Sequence, residues 1–115
     1  MDMMVMERPS MDELNLLYAD VCQALGDPRR LNIIYALHER PRHVSQLAAD
    51  LQMPQPTVSR HLQMLRDRHL VIAERDGAAV VYHLAEPQVI EVLDRMRLIL
   101  RDSLARRAGL VDAEK

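Results

Sequence analysis

The sequence is 115 residues long, the length of one small domain. Hydrophobic residues make up 49% of it and aromatic residues only 3%, so a core must consist mainly of aliphatic side chains, which favours helices. The net charge of −2 is unevenly placed. Residues 1–27 contain six acidic residues and one basic residue, whereas residues 42–75 contain five arginines and three acidic residues, which is compatible with a nucleic-acid-binding surface.

Several classes of protein are disfavoured by what the sequence lacks. A single cysteine cannot form an intrachain disulfide, and no apolar stretch is long enough for a secretory signal or a membrane span, so we expect a cytoplasmic protein. The chain has only three glycines, with no phosphate-binding glycine loop and no nucleophile motif. These features argue against an enzyme.

The amino-terminal part predicts an arm followed by a helix. Residues 1–10 are rich in methionine, and we expect them to form a flexible arm. We expect the folded domain to comprise residues 11–108. Ser10, with Glu13 three positions later, forms a capping-box pattern that marks the start of a first helix. Apolar residues then recur at helical spacing up to Gly26, which ends this helix.

Two shorter helices are predicted next. Asp27 and Pro28 combine a helix cap with a first-turn proline, so they begin a second helix, which Pro41 ends. The third helix is predicted from Val44 to Leu51, and the QMP segment after it forms a turn.

The fourth helix, predicted over residues 55–68, has two distinct sides. Val58, Leu62 and Leu65 fall at positions i, i+4 and i+7 and form one apolar stripe. The opposite side and the amino end carry small polar residues and Arg60, a pattern that a DNA major groove can receive. This helix is therefore interpreted as the recognition helix of a helix-turn-helix.

The pattern then changes to that of strands. The segments 71–73 and 80–82 are rich in β-branched residues, and Asp76-Gly77 between them is a strong hairpin signal. A hairpin directly after a helix-turn-helix predicts a wing, over residues 74–80.

A last long helix is predicted from Pro87, and its apolar stripe is too long for so small a domain to cover. We therefore expect the first and last helices to pair with their copies in a second subunit, which helps a small chain to bury apolar area. The tail, residues 109–115, is predicted to be disordered. The candidate dimer-interface residues are Leu14, Leu17, Tyr18, Val21, Val89, Leu93, Met96, Leu100 and Leu104.

This order of elements is mostly α with a small β-hairpin (α-α-α-α-β-β-α), and three segments resemble motifs of the ArsR/SmtB family of winged-helix repressors. ALGDPRRLNIIYAL (24–37) resembles the ALxDPTRLxIL signature of the family, residues 46–71 resemble its helix-turn-helix with the S-x-H-L core, and the hairpin ending at Val81-Tyr82 resembles its wing. The resemblance implies a homodimeric winged helix-turn-helix repressor. Such a protein would bind a palindromic operator through residues 55–68 and 74–80 and release it when an effector binds.

The resemblance also implies which side chains contact the operator. Arg60 is the leading candidate, because a guanidinium can bind both O6 and N7 of guanine. Gln55 can contact an adenine or a phosphate, whereas Thr57 and Ser59 have the alternative role of satisfying N–H groups at the start of the helix. For His61, packing with a hydrogen bond is favoured over DNA contact. The full candidate set is Gln55, Pro56, Thr57, Ser59, Arg60, His61, Gln63, Arg75 and Gly77.

The wing departs from the family pattern. Ala78 stands where the family often has a basic residue, and Arg75 is the only nearby cation, so we expect few phosphate contacts and a modest dependence of binding on salt. The alternative for Arg75 is a solvated ion pair with Glu74 or Asp76.

The two familiar metal sites of the family are absent. Its arsenic sensors carry ELCVC in the third helix, where this chain has PRHVS, and its zinc sensors carry Asp and His ligands on the last helix, which here has neither His nor Cys. We therefore expect no metal cofactor. Cys22 is interpreted as a small buried hydrophobic residue rather than a sensor thiol, with a bridge between two copies as a further alternative.

The sequence leaves the effector open among a metal, an oxidant, an organic ligand between the terminal helices, and none. An N-terminal arm packed on a partner subunit is favoured over a Cu(I) site for Met1, Met3, Met4 and Met6. The leading hypothesis for function is a homodimeric DNA-binding repressor. The alternative is a winged-helix protein-interaction module without specific DNA binding, which the weak wing and the negative net charge favour.

Overall fold

The computed structural model describes residues 7–113, with side chains as far as residue 109. The chain forms two compact units, one ending at Ala85 and the other beginning at Glu86. The first unit contains α1 (Met11–Leu17), a π-helical segment (Tyr18–Cys22), α2 (Pro28–Glu39), β1 (Arg42–His43), α3 (Val44–Leu51), α4 (Gln55–Asp67), β2 (Val71–Asp76) and β3 (Ala79–Leu84). The second unit contains α5 (Gln88–Ala113). Of the predicted N-terminal arm, residues 1–6 lie outside the described residues, and residues 7–10 are exposed and form neither helix nor strand.

The first helix begins at the predicted cap but is not one continuous α-helix. The backbone N–H of Glu13 donates to Ser10 Oγ at 3.1 Å, and α1 then ends at Leu17. The π-helical turn that follows is closed by the N–H of Gln23, which donates to the carbonyl of Tyr18 at 2.8 Å. A π turn contains more residues than an α turn, so it rotates the residues after it relative to the face of α1. Hydrophobic spacing alone does not reveal such a turn.

The core of the first unit is formed mainly by α2, α3 and α4. Asp27 Oδ1 accepts a hydrogen bond from the N–H of Arg29 at 2.8 Å, which starts α2 as predicted. The predicted bounds of α3 agree with the structure, and the predicted inward stripe of α4 is buried. The buried apolar residues of this unit are Ala24, Ile33, Ile34, Ala36, Leu37, Leu47, Val58, Leu62, Leu65, Leu70 and Val71.

The wing belongs to a three-stranded antiparallel sheet in the order β1-β3-β2, rather than to the predicted two-stranded hairpin. The prediction missed β1 because a two-residue strand is too short to show alternation. Asp76 pairs with Ala79, so the two loop residues are Gly77 and Ala78 rather than Asp76 and Gly77. Gly77 has a φ of 65° and Ala78 does not share this left-handed conformation, as expected for a type II′ hairpin turn.

The second unit is a single helix of 26 residues. It continues past Gly109 to Ala113, so the prediction that disorder begins at residue 109 is wrong for residues 109–113. One glycine inside a helix costs only about 1 kcal/mol relative to alanine, which a long helix tolerates. Within the described residues, no helix combines the length and the apolarity needed to cross a membrane.

Candidate nucleic-acid interface

The helices α3 and α4 are joined by a tight turn and form the helix-turn-helix. Gln52 adopts the left-handed conformation with a φ of 55°, and the N–H of Met53 donates to the carbonyl of Ala48 at 3.0 Å, which closes the end of α3. Pro56 lies in the first turn of α4, where its missing N–H leaves no helical hydrogen bond unmade. The N–H of Thr57 donates to the carbonyl of Pro54 at 3.0 Å. The backbone of this turn thus determines the residue at which α4, with its outward-facing side chains, begins.

The outward side of α4 presents polar side chains to solvent. Thr57 is half-buried, and no side-chain hydrogen bond caps the start of α4, so the alternative role of Thr57 and Ser59 as caps is not observed in the described residues. Within the same residues, the Arg60 guanidinium has no hydrogen bond or ion pair and is free to bind a ligand. The sequence-predicted residues exposed on this helix are Gln55, Pro56, Ser59, Arg60 and Gln63.

Gln63 is partly committed within its own helix. Its Nε2 donates to Asp67 Oδ1 at 2.9 Å, one turn further on. This contact leaves the carbonyl oxygen of Gln63 available, whereas Arg60, three residues earlier, has its whole donor fork available.

His61 lies on the inner side of α4 and is only 8% exposed. Its Nδ1 is 3.2 Å from Nη1 of Arg30 on α2. The inclusion of His61 among the DNA-contacting candidates is therefore corrected, because the side chain sits beside the stripe that α4 buries. Its position agrees with the interpretation of a packed, hydrogen-bonded histidine.

The wing leaves its one cation unpaired. His83 Nε2 lies 2.7 Å from Glu74 Oε1, and His43 Nε2 lies 3.7 Å from Asp76 Oδ2. Successive residues of a strand face opposite sides, so both carboxylates lie on one face of β2 and Arg75 on the other. Arg75 is exposed and has no ion pair within the described residues, so the predicted alternative of a pair with Glu74 or Asp76 is not observed.

The five arginines of residues 42–75 separate into structural and exposed ones. Arg42 is 4% exposed, its Nη2 donates to Glu39 Oε1 at 2.8 Å, and its Nε lies 3.5 Å from Asp50 Oδ2. Arg68 is half-buried. The exposed arginines of this stretch are Arg60, Arg66 and Arg75.

Arg66 was not among the sequence-predicted contacts. It follows Ser59 by seven residues, which is two helical turns, so the two side chains lie on the same side of α4. This spacing was the signal that could have identified it.

Comparison with known proteins identifies the family. The profile described as "Bacterial regulatory protein, arsR family" matches residues 27–73, from the cap of α2 into β2. The chain is 32% identical over 102 residues to Rv0081 of Mycobacterium tuberculosis, an uncharacterized HTH-type transcriptional regulator, with 88% of this chain and 90% of Rv0081 covered. The chain belongs to the ArsR/SmtB family.

Solved structures of the ArsR/SmtB family share the fold. The crystal structure of Rv0081 matches with a TM-score of 0.73 at 33% identity, covering 89% of this chain and 99% of that one. The solution structure of residues 1–100 of Mb0332 from Mycobacterium bovis matches with a TM-score of 0.71 at 30% identity, covering 88% and 95%. It is described as a homodimeric winged helix-turn-helix DNA-binding domain of a possible ArsR-family transcriptional regulator. The predicted winged helix-turn-helix fold and the predicted class of transcriptional regulator are thus confirmed.

A third relative is described as a repressor. SmtB of Mycobacterium tuberculosis, an HTH-type transcriptional repressor, is 36% identical over 74 residues, which cover 64% of this chain and 55% of SmtB.

The candidate dimer-interface residues of this ArsR/SmtB-family chain differ in exposure. On the first helical segment Leu14, Leu17 and Tyr18 are exposed and Val21 is half-buried. On α5 the stripe changes along its length. Val89 and Leu93 are 7% and 5% exposed in the single chain, and their part in a dimer interface stays a prediction. The available residues of the predicted α5 stripe are Met96, Leu100 and Leu104.

Further apolar side chains on the same two helices are exposed but were not among the predicted interface residues. They are Met11, Leu16, Val92, Leu98 and Ile99.

Cys22 is exposed, and the interpretation of it as a buried hydrophobic residue is wrong for the single chain, because the π-helical segment that carries it buries none of its residues. In the described residues, no group of three or more His, Cys, Asp or Glu side chains is arranged to hold a metal ion. The proposed packing or Cu(I) binding of the four N-terminal methionines falls on residues outside the described part of the chain.

Proposed function

We propose that this protein is a homodimeric transcriptional repressor that binds a palindromic operator. The observation that carries the proposal is the two-sided α4. Its inner side holds the helix in the core through Val58, Leu62 and Leu65, and its outer side presents Arg60 with an unoccupied guanidinium. A helix held in this way can enter a major groove without losing its packing.

The exposed polar residues of α4 can make two kinds of contact with DNA, to bases and to phosphates. Arg60 can donate two parallel hydrogen bonds to guanine, or bind phosphate, while Gln55 and Ser59 at the amino end can contact bases or phosphates. Arg66 and Arg75 extend the positive surface along α4 and into the wing. With only these three exposed arginines on α4 and the wing, we propose that affinity falls with salt but only modestly.

Dimerisation would give the operator its symmetry. Two copies of α4 related by a twofold axis would occupy successive major grooves, about one helical turn apart, on a palindrome. Mb0332 is described as homodimeric and SmtB as a repressor, which supports both parts of the proposal. A protein that acts on DNA in this way would work in the cytoplasm. An effector would release the DNA by favouring a dimer in which the spacing of the two recognition helices is wrong.

The experiment is fluorescence anisotropy with labelled fragments of the DNA upstream of the gene, at several salt concentrations. We expect one fragment to bind more tightly than the others, and binding to weaken as salt is raised. Replacing Arg60 by Ala should weaken binding to that fragment by about 1–3 kcal/mol if Arg60 contacts a base. Arg101→Ala is the matched control, since it removes an exposed arginine of α5.

Equal binding to all fragments, with no dependence on salt, would contradict the proposal. That result would favour the winged-helix protein-interaction module instead.

A further inference from the structure

The side chain of Arg30 joins two parts of the first unit that are distant in sequence. From the first turn of α2, its Nε donates to the carbonyl of Ala24 at 2.7 Å and its Nη2 donates to the carbonyl of Gln23 at 3.2 Å. Its Nη1 lies 3.2 Å from Nδ1 of His61 on α4. One guanidinium therefore binds both the end of the first helical segment and the recognition helix. We call these contacts the Arg30 bridge.

The Arg30 bridge requires one protonation state of His61. A guanidinium can only donate, so Nδ1 of His61 must accept, and the ring must be neutral with its proton on Nε2. Nε2 is buried and has no hydrogen-bond partner within the described residues. Protonation of Nδ1 would direct an N–H at a cation that cannot accept it.

The charges around His61 come from α2, from its amino-terminal cap and from α4 itself. Burial lowers the pKa of His61 below its usual 6.5, and the nearby Arg29, Arg30 and Arg60 lower it further, while Asp27 acts in the opposite direction. Hydrogen bonds from Arg29 lower the pKa of Asp27 to about 2, so Asp27 is ionised wherever His61 titrates. The neutral ring is thus the form that this environment favours.

The position of the Arg30 bridge connects two candidate surfaces. Gln23 and Ala24 directly follow the π-helical segment, and the N–H of Gln23 is bonded to the carbonyl of Tyr18, which is exposed on the candidate dimer surface. On the other side, His61 is adjacent to Arg60 in sequence, so a fixed His61 ring adds to the buried stripe of α4 in holding the rotation that directs Arg60 outward.

We propose that Arg30 and His61 are positioning residues for DNA recognition, which set the orientation of α4 relative to the first helical segment while the His61 ring is neutral. Neither residue contacts DNA in this proposal. The inference rests on the proposed DNA-binding function and deepens it, because it makes operator affinity depend on the proton carried by one inward-facing histidine.

The first test compares two neighbouring arginines of α2. Arg30→Gln breaks the Arg30 bridge, whereas Arg29→Gln removes the same charge from a side chain that is 57% exposed and pairs only locally with Asp27. We expect Arg30→Gln to bind the preferred fragment about tenfold more weakly than Arg29→Gln, at equal folding judged by circular dichroism. Equal affinities of the two folded variants would overturn the proposal.

The second test keeps Arg30 and serves if Arg30→Gln does not fold. His61→Gln keeps an oxygen that can accept from Arg30 but does not titrate, and His38→Gln removes an exposed histidine of α2 as the control. As the pH is lowered below about 6.5, the wild type and His38→Gln should lose affinity relative to His61→Gln. Parallel pH profiles of all three proteins would overturn the proposal.

A measurement without DNA separates this inference from the proposed function. Nitrogen-15 NMR of the free protein at neutral pH should show His61 with its proton on Nε2 and a bare Nδ1. A proton on Nδ1 would overturn the bridge whatever the DNA result. If the expected tautomer were present but the wild type bound no fragment selectively at any pH, the proposed function would be refuted instead. The positioning role in DNA recognition would then be refuted with it.

Discussion

Leu100 on α5 provides the sharpest test of how the chain dimerises. In the single chain its side chain is 54% exposed, within the stripe that also contains Met96 and Leu104. Fully burying a leucine side chain contributes about 1.5–3 kcal/mol, so covering the exposed half contributes about 0.8–1.6 kcal/mol per subunit. A twofold dimer contains two copies, which gives about 1.6–3.2 kcal/mol.

Leu100→Ala removes most of this side chain and should therefore raise the dimer dissociation constant by about 15-fold to 200-fold. Sedimentation velocity over a range of protein concentrations measures this constant directly. Leu98→Ala is the matched control, because Leu98 is 47% exposed on the same helix but two residues away, on nearly the opposite side. We expect Leu98→Ala to dimerise like the wild type.

Two results would refute this reasoning. If Leu100→Ala dimerised with the affinity of the wild type, the stripe would not be the interface. If Leu98→Ala weakened the dimer equally, the effect would belong to the helix as a whole rather than to one side of it.

Three further predictions concern stability. Leu62 is 1% exposed, so Leu62→Ala should lower the free energy of unfolding, measured with urea, by about 2–5 kcal/mol. A decrease below about 1 kcal/mol would contradict the place of Leu62 in the core. Gly77→Ala should destabilise the wing by about 1–2 kcal/mol because the φ of 65° is unfavourable for alanine, and unchanged thermal unfolding would argue against this turn. Because the folded pKa of His61 lies below 6.5, the unfolded state takes up the proton first. The unfolding free energy should therefore decrease from about pH 6.5 downward through the folded pKa, and decrease less in His61→Gln.

Local signals in the sequence predicted most of the helices and the recognition helix. Asp27 caps α2 through a contact only two residues long, and Val58, Leu62 and Leu65 form a stripe because helical spacing places them on one side. Such features depend on neighbours within about two helical turns, so they can be recognised without a tertiary structure.

Other features depend on partners far along the chain. β1 exists because Arg42 and His43 pair with Tyr82 and Val81, about forty residues later, and no alternation within two residues could predict it. The same distance explains why Arg42, counted among the positive charges of the predicted DNA-binding stretch, is instead buried beside Glu39 and Asp50.

The sequence by itself determined the family, the winged helix-turn-helix class and the apolar side of α4, and with that side most of the residues that α4 turns outward, because repeating local spacing specifies which side of a helix is apolar. Only the tertiary structure decided which of those residues are free to act. It placed His61 against Arg30 and brought His83 to 2.7 Å from Glu74 and His43 to 3.7 Å from Asp76, while Arg60 and Arg75 have no ion pair within the described residues. The physical reason is that hydrogen bonds and ion pairs form between whichever groups folding brings within about 3–4 Å, whatever their separation in the chain.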